Sequence, residues 1–269
     1  LKFFESRTQQ GNEKLVIITV FPELQSKIEH FDQNRYKFVG SCISESLRQF
    51  DVENAKFKEI MNSFDPINPL QSVIQSKAAS KKDSPLVYVS IGTAYNNNIF
   101  AFDALIEGIR KLEGKLKIKA IFSVGYQVIK QYEERSKNGR FYLPDNIVLL
   151  PFVPQIEVLK RASLFVTHCG INSATEAIYY AVPIISIPIE DDQTLVTKRL
   201  VDELELGKRF DLSKLNSDEL ADAIFDILTD NCYLEKMISM SKISRKYNGS
   251  VNGANEVLNF LNNIDKKDE

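Results

Sequence analysis

From Pro85 onward, short apolar runs alternate with longer segments whose apolar residues recur every three to four positions. The runs are Leu86–Ile91, Ile118–Val124, Asn146–Leu150, Leu164–Thr167 and Ile184–Ile187, rich in Val and Ile. Near-continuous apolar character marks strands covered on both faces, because a strand with one wet face alternates instead. Between them, Ile99–Leu112, Ile156–Arg161, Ser173–Tyr180 and Gln193–Glu203 predict helices. Ser217–Leu228, Tyr233–Tyr247 and Val251–Asn262 predict further helices at the end of the chain. Buried strands alternating with amphipathic helices predict an α/β fold, a Rossmann-like parallel sheet with helices on both faces.

The first part of the chain reads differently. Leu15–Val20 and Tyr36–Val39 predict two strands, separated by the break at Phe21-Pro22 and closed by Gly40-Ser41. Two strands cannot cover their own faces, so this piece is expected to belong to a larger sheet. From Ser44 to Ser84 no strand pattern appears, and Asp65-Pro66, Asn68-Pro69 and the polar stretch 77–84 suggest a connection with some helix. The expected division is residues 1–43 as the end of an incomplete N-terminal domain, 44–84 as a linker, 85–249 as a ligand-binding domain and 250–269 as a final helix and polar tail.

Composition narrows the function without choosing it. Net charge is −2 and the sequence pI is near 5.9, so nucleic acid is not an expected partner. Cys42, Cys169 and Cys232 form no CxxC pair or even-numbered framework, which favours a reducing, cytoplasmic compartment. No apolar run approaches the roughly 20 residues that a membrane helix requires. Asn248-Gly249-Ser250 and Lys266-Lys267 have the forms of a glycosylation acceptor and a retrieval signal, and without a membrane helix both read as chance. The chain opens on Leu1 with no signal-like segment, and is expected to be a piece of a longer protein.

In doubly wound sheets, ligands bind beyond the carboxyl ends of the strands. Polar residues gather there at Ser90–Thr93, Ser123–Gly125, Pro151–Gln155, Thr167–Ser173 and Pro188–Gln193. The run Thr167-His168-Cys169-Gly170-Ile171-Asn172-Ser173 leads a strand into a helix, with Asn172 and Ser173 read as cap-type residues. Free N–H groups at such a helix start attract anions, and His168 adds a ring donor. An ordinary capped turn with a core histidine accounts for this motif equally well. Glu176 is open to two readings, a capping-box glutamate or a carboxylate for ribose hydroxyls. Glu190-Asp191-Asp192-Gln193 likewise reads either as acid at a helix start or as hydrogen-bonding groups for a sugar. GxGxxG and GxxxxGK[ST] loops are absent from the sequence, as is metal-ligand spacing, so no metal or cofactor is expected.

Together, Phe152-Val153-Pro154-Gln155, Glu157-Val158-Leu159, Thr167–Gly170, Asn172-Ser173, Glu176, Val182-Pro183, Pro188 and Asp192-Gln193 resemble the donor-binding signature of UDP-glycosyltransferases in order and nearly in spacing. The stretches Lys14–Val20, Tyr36–Gly40 and Val87–Thr93 are most similar to the macrolide-type branch, and the resemblance covers about residues 14 to 262. It implies the two-domain GT-B fold, of which this chain would hold the donor-binding half.

The resemblance also implies roles. Phe152 would stack on uracil where many members carry Trp, and Val153 and Gln155 would border the base. Glu176 would bind ribose, while His168, Gly170, Asn172 and Ser173, with Thr93 and Ser123, would hold the diphosphate. Asp192 and Gln193 would contact the sugar, with UDP-glucose the expected donor, and Cys169 would have no chemistry of its own. The implied reaction is inverting hexosyl transfer to a hydroxyl of a small-molecule or lipid acceptor.

The implied base is a histidine near the start of the N-terminal domain, and His30 does not lie at that place. No catalytic residue is therefore expected in this chain, which alone would be inactive. A non-catalytic binding module, or a donor subunit working with a separate acceptor-domain chain, is the alternative. A nucleotide-sugar epimerase fits the Phe152–Gln193 pattern poorly.

Overall fold

The computed structural model describes residues 14–43, 54–63, 84–92 and 97–265. The chain divides into two compact units, residues 1–47 with 239–269 and residues 48–238.

In the first unit, β1 (Val16–Ile18) and β2 (Tyr36–Phe38) form a two-stranded parallel sheet in which Val16 lies opposite Tyr36 and Ile18 opposite Phe38. The strands are shorter than their apolar runs, and backbone pairing continues just beyond them, with Val39 N–H donating to the Ile18 carbonyl at 3.0 Å and Gly40 N–H to that of Val20 at 3.2 Å. The chain's last residues join this unit through close backbone approach. A Cβ on Gly249 would fall 2.2 Å from the carbonyl oxygen of Gly40, and one on Gly40 (φ +97°) would fall 2.3 Å from Cβ of Tyr247. Asn252 Nδ2 also donates to the Val39 carbonyl at 3.0 Å. The unit boundary consequently lies at Ile238/Ser239, earlier than the position after residue 249 expected from the sequence.

The second unit is the α/β layer structure. Its first described helix is α1 (Ala55–Asn62), capped by Asn54, within the segment expected to be a connection with some helix. The rest of that segment falls largely outside the described residues. Next come β3 (Leu86–Ser90), α2 (Ile99–Arg110), β4 (Lys119–Ser123), α3 (Tyr126–Lys137), β5 (Ile147–Leu150) and α4 (Gln155–Leu159). They are followed by β6 (Leu164–Thr167), α5 (Ile171–Tyr179), β7 (Ile184–Ser186), α6 (Asp191–Thr197), a π-helical segment Lys198–Glu203, β8 (Gly207–Arg209) and α7 (Ser217–Thr229). Helices α8 (Asn231–Ser244) and α9 (Gly249–Asp265) close the chain.

The sheet is wholly parallel, in the order β5-β4-β3-β6-β7-β8. Its central strands are buried as their composition requires, with Leu86, Val87 and Val89 on β3 and Leu164, Phe165 and Val166 on β6 fully enclosed. Helix α2 presents Ala101, Phe102, Leu105, Ile106 and Ile109 to this core, a stripe one helical face wide. Gly108 of α2 lets the chain at Ser217 approach, since a Cβ there would already sit 3.2 Å from the Ser217 carbonyl.

Two features of this order mark where a ligand site is to be sought. The chain winds outward from β3 in one direction and from β6 in the other, so these neighbours flank the topological switch point, the place where doubly wound sheets bind ligands. The last residues of β4, β3, β6 and β7 are Ser123, Ser90, Thr167 and Ser186, aligned in register across four strands. A row of hydroxyls thus lies along the carboxyl edge, where the polar interruptions of the apolar strands fall.

Candidate functional site

The turn from β6 to α5 forms the centre of this edge. Cys169 adopts a left-handed backbone at φ +63°, and its N–H donates to Thr167 Oγ1 at 3.2 Å. That reversal makes Gly170 the N-cap and starts the helix at Ile171, with no side-chain cap. The expectation that Asn172 and Ser173 cap the helix is therefore corrected: both lie within its first turn. The N–H groups of Ile171, Asn172 and Ser173 lack intrahelical partners by the geometry of a helix start, and the first turn carries no carboxylate. An anion there meets the positive end of the helix.

His168 stands over this terminus, wedged between two glycines. A Cβ on Gly170 would come within 2.7 Å of its Nε2, and one on Gly92 within 2.9 Å of both Cε1 and Nε2. Gly92, with φ +84°, follows β3, so the pairing of β3 with β6 brings both sides of the cradle together. Burial lowers the imidazole below its ordinary 6.5, opposed by the nearby Asp192 carboxylate. Nδ1 is buried with no hydrogen-bond partner among the described residues. An orphaned lone pair is tolerated better than an orphaned N–H, which places the proton of the neutral ring on Nε2. Burial thus favours the neutral ring, with Nε2 as the nitrogen that faces Gly170 at the helix start.

Beneath the same turn lies a sealed polar group. Ser186 Oγ and Thr197 Oγ1 are 2.5 Å apart, both fully buried. Burial pushes the Cys169 thiol up to about 11, with the nearby Ser186 and Thr197 hydroxyls opposing. This thiol is inert and packs the turn.

A second cluster occupies the side towards β5. Phe152 and Val153 lie in the turn before α4; the Phe152 ring is 45% exposed, whereas Val153 is buried. At the start of α4, Gln155 Nε2 donates to Ser173 Oγ at 3.2 Å and to Glu176 Oε2 on α5. Gln155 Oε1 accepts from the hydroxyl of Tyr88 at 3.4 Å. Glu176 is therefore not a capping-box residue; it lies beyond the first turn and is held from the side.

On α6, Gln193 Oε1 accepts from the N–H groups of Ile189 and Glu190 at 2.9 and 3.1 Å, closing a capping box with Glu190. Its carbonyl is committed to the helix start, leaving the amide NH2 as the group able to serve a ligand. Asp192 is half-buried beside His168. Ser123 is half-buried at the end of β4, next to Ser90 in register. Thr93 lies outside the described residues. His30 is exposed on a short turn, 3.8 Å from Glu29 through Nε2. Two participants, Tyr88 and Gly92, were not singled out by sequence reasoning, although Gly92 stood in a marked strand-end cluster.

The family model for UDP-glucoronosyl and UDP-glucosyl transferase matches residues 97–247. The chain belongs to this family.

As a UDP-glycosyltransferase family member it is 29% identical over 244 residues to a Bacillus subtilis (strain 168) protein named Uncharacterized UDP-glucosyltransferase YojK, covering 91% of this chain and 51% of that one. The calicheamicin glycosyltransferase CalG4 superposes with a TM-score of 0.69 at 18% identity, over 97% of this chain and 56% of that one. Os79 from O. sativa, solved in complex with UDP, gives 0.65 at 20% identity, over 90% of this chain and 54% of its own. These neighbours are GT-B glycosyltransferases, and this family member has their α/β fold over about half of their length. It likewise spans about half the length of the curated relatives it matches.

Proposed function

We propose that this chain is the donor-binding half of a UDP-glycosyltransferase, holding a UDP-sugar along the carboxyl edge of its sheet. The observation that carries the reading is the His168 cradle over an uncapped helix start. The neutral Nε2–H and the N–H groups of Ile171, Asn172 and Ser173 converge where a diphosphate would sit. The exposed Phe152 ring offers a face to a uracil, bordered by Val153 and Gln155, and Glu176 accepts from the ribose hydroxyls. Asp192 and the Gln193 amide meet the sugar, glucose in the first instance. Ser123 and Thr93 complete the diphosphate site.

In the transfer step an acceptor hydroxyl loses its proton to a base, its oxygen attacks the anomeric carbon, and the bond to the diphosphate oxygen breaks with inversion. Negative charge grows on the leaving phosphate, where His168 and the helix start donate. Loss of one such preorganised donor costs about 3 kcal/mol of barrier. Neither histidine of the sequence suits the base: His168 is wedged at the helix start, where it serves the leaving phosphate, and His30 is solvent-exposed beside Glu29. The chain by itself therefore binds donor without transferring it, and the acceptor, a small-molecule or lipid hydroxyl, is bound elsewhere in the whole protein or on a separate acceptor-domain chain. Three unpaired cysteines fit a reducing, cytoplasmic setting.

Titration calorimetry with UDP tests the site. Saturable binding is expected, and no heat at millimolar UDP would remove the donor-site assignment. Release of glucose from UDP-glucose by this chain alone would overturn the claim that it lacks a base.

A further inference from the structure

Tyr88 is a tyrosine in the middle of a central buried strand, only 1% exposed and stacked on Phe165 with ring centroids 4.8 Å apart. A phenylalanine would fill that place equally well, so the hydroxyl requires an explanation. Buried phenols persist when they are hydrogen-bonded. Ser90, two residues along the same strand face, lies beside this hydroxyl, which donates to Gln155 Oε1 at 3.4 Å. Gln155 then donates through Nε2 to Ser173 Oγ at 3.2 Å and to the Glu176 carboxylate.

Every donor in this chain points the same way, from β3 through α4 to α5. Because Tyr88 occupies the amide oxygen, the amide NH2 must face Ser173 and Glu176. A flipped Gln155 would set its oxygen against the carboxylate. Burial and the neighbouring Glu176 charge keep the phenol protonated well beyond its ordinary range, so the direction is fixed at every physiological pH.

Resting on the donor-site reading above, we infer that Tyr88 and Ser90 are positioning residues: through Gln155 they aim the Glu176 carboxylate at the ribose hydroxyls and so set selectivity for a vicinal diol. Neither need touch the ligand. The effect belongs to orientation, and it appears in the discrimination between UDP and 2′-deoxy-UDP more than in the affinity for either.

The test compares the two ligands by calorimetry on the full chain and its Tyr88→Phe variant, which keeps the ring stack and loses only the hydroxyl. The wild type is expected to prefer UDP by about tenfold, the scale of one hydrogen bond to a charged group. Tyr88→Phe is expected to retain 2′-deoxy-UDP binding while its preference for UDP falls to about threefold or less. An unchanged ratio, or equal weakening of both ligands together with a lower melting temperature, overturns the inference in favour of a packing role. Should Tyr88→Phe fail to fold, Ser90→Ala reads the same ratio, with the same fall expected and the same unchanged ratio refuting. Absence of UDP binding by the wild type would instead refute the donor-site reading itself.

Discussion

The two sides of the candidate site are built by different means. On the His168 side, space does the positioning: Gly92 and Gly170 leave room for one ring, beside the backbone N–H groups of the helix start. On the Glu176 side, side chains do it: Tyr88, Gln155, Ser173 and Glu176 form a directed hydrogen-bond chain. The first arrangement suits a spherical, charged group such as a phosphate, which needs many donors and little directionality. The second suits a diol, whose recognition depends on where one carboxylate points. A steric cradle fails when anything is added to it, whereas a hydrogen-bond chain weakens link by link.

The largest effect is expected from crowding the cradle. Gly170 has ordinary backbone angles for any residue, φ −60° and ψ 146°, so Gly170→Val is limited by space alone. The first added carbon would meet Nε2 of His168 at 2.7 Å and displace the ring from the helix start. Overpacking of this kind costs about 1–3 kcal/mol, and UDP affinity is expected to fall towards a hundredfold. Because the half-buried ring can swing outward, the melting temperature should change far less than the affinity. Equal UDP binding by wild type and Gly170→Val would show that the cradle does not set the ring.

On the other side, Glu176→Gln keeps the shape and removes the charge. Hydrogen bonds to charged groups contribute about 1.5–3 kcal/mol, so UDP affinity is expected to drop about tenfold, while a simple pyrophosphate, which lacks the diol, binds as before. A parallel loss of pyrophosphate binding would mean that the two sides are not independent.

How much of this was legible in the residues differs between the two sides for a physical reason. The β3 to β7 strands announced themselves because burial on both faces leaves a continuous apolar run. The same signal hid Tyr88, which reads as one more core residue until the Gln155 amide is seen above it. Helix α3 was missed because only Val128 and Tyr132 of Tyr126–Lys137 are buried, too few to show a period. Strand β8, Gly207–Arg209, was missed because it is a three-residue edge strand of Gly-Lys-Arg with rising exposure. The helix at Ile171 was placed two residues late: Asn172 and Ser173 are typical caps, but the left-handed Cys169 reverses the chain earlier. Gly92 belongs to the cradle only through the β3–β6 pairing, a contact that sequence spacing does not reveal.

The cradle also predicts a dependence on pH. Burial holds the His168 pKa below its ordinary 6.5, with Asp192 opposing. The unfolded chain then takes up a proton before the folded one does, so stability is complete above 6.5 and declines as pH falls through that value. Melting temperature measured from pH 7.5 down to 5 should fall less steeply in His168→Asn than in the wild type. Identical slopes would mean that the imidazole is not held neutral by its surroundings.

The smallest effect concerns Phe152, an aromatic that belongs to neither the glycine cradle nor the hydrogen-bond chain. Phe152 is 45% exposed in a turn, with its neighbour Val153 buried as the anchor. Phe152→Trp enlarges the stacking face without asking anything of the core, and aromatic contacts of this type contribute about 0.5–1.5 kcal/mol in total. The gain from the larger ring is a fraction of that, so UDP affinity should rise about twofold and pyrophosphate binding should not change. A rise for UDP but not for ribose 5-diphosphate, which has no base, would assign the ring to the nucleobase. A twofold rise for both would place Phe152 against the ribose, and would shift the boundary between the two sides of the site from α4 into the turn before it.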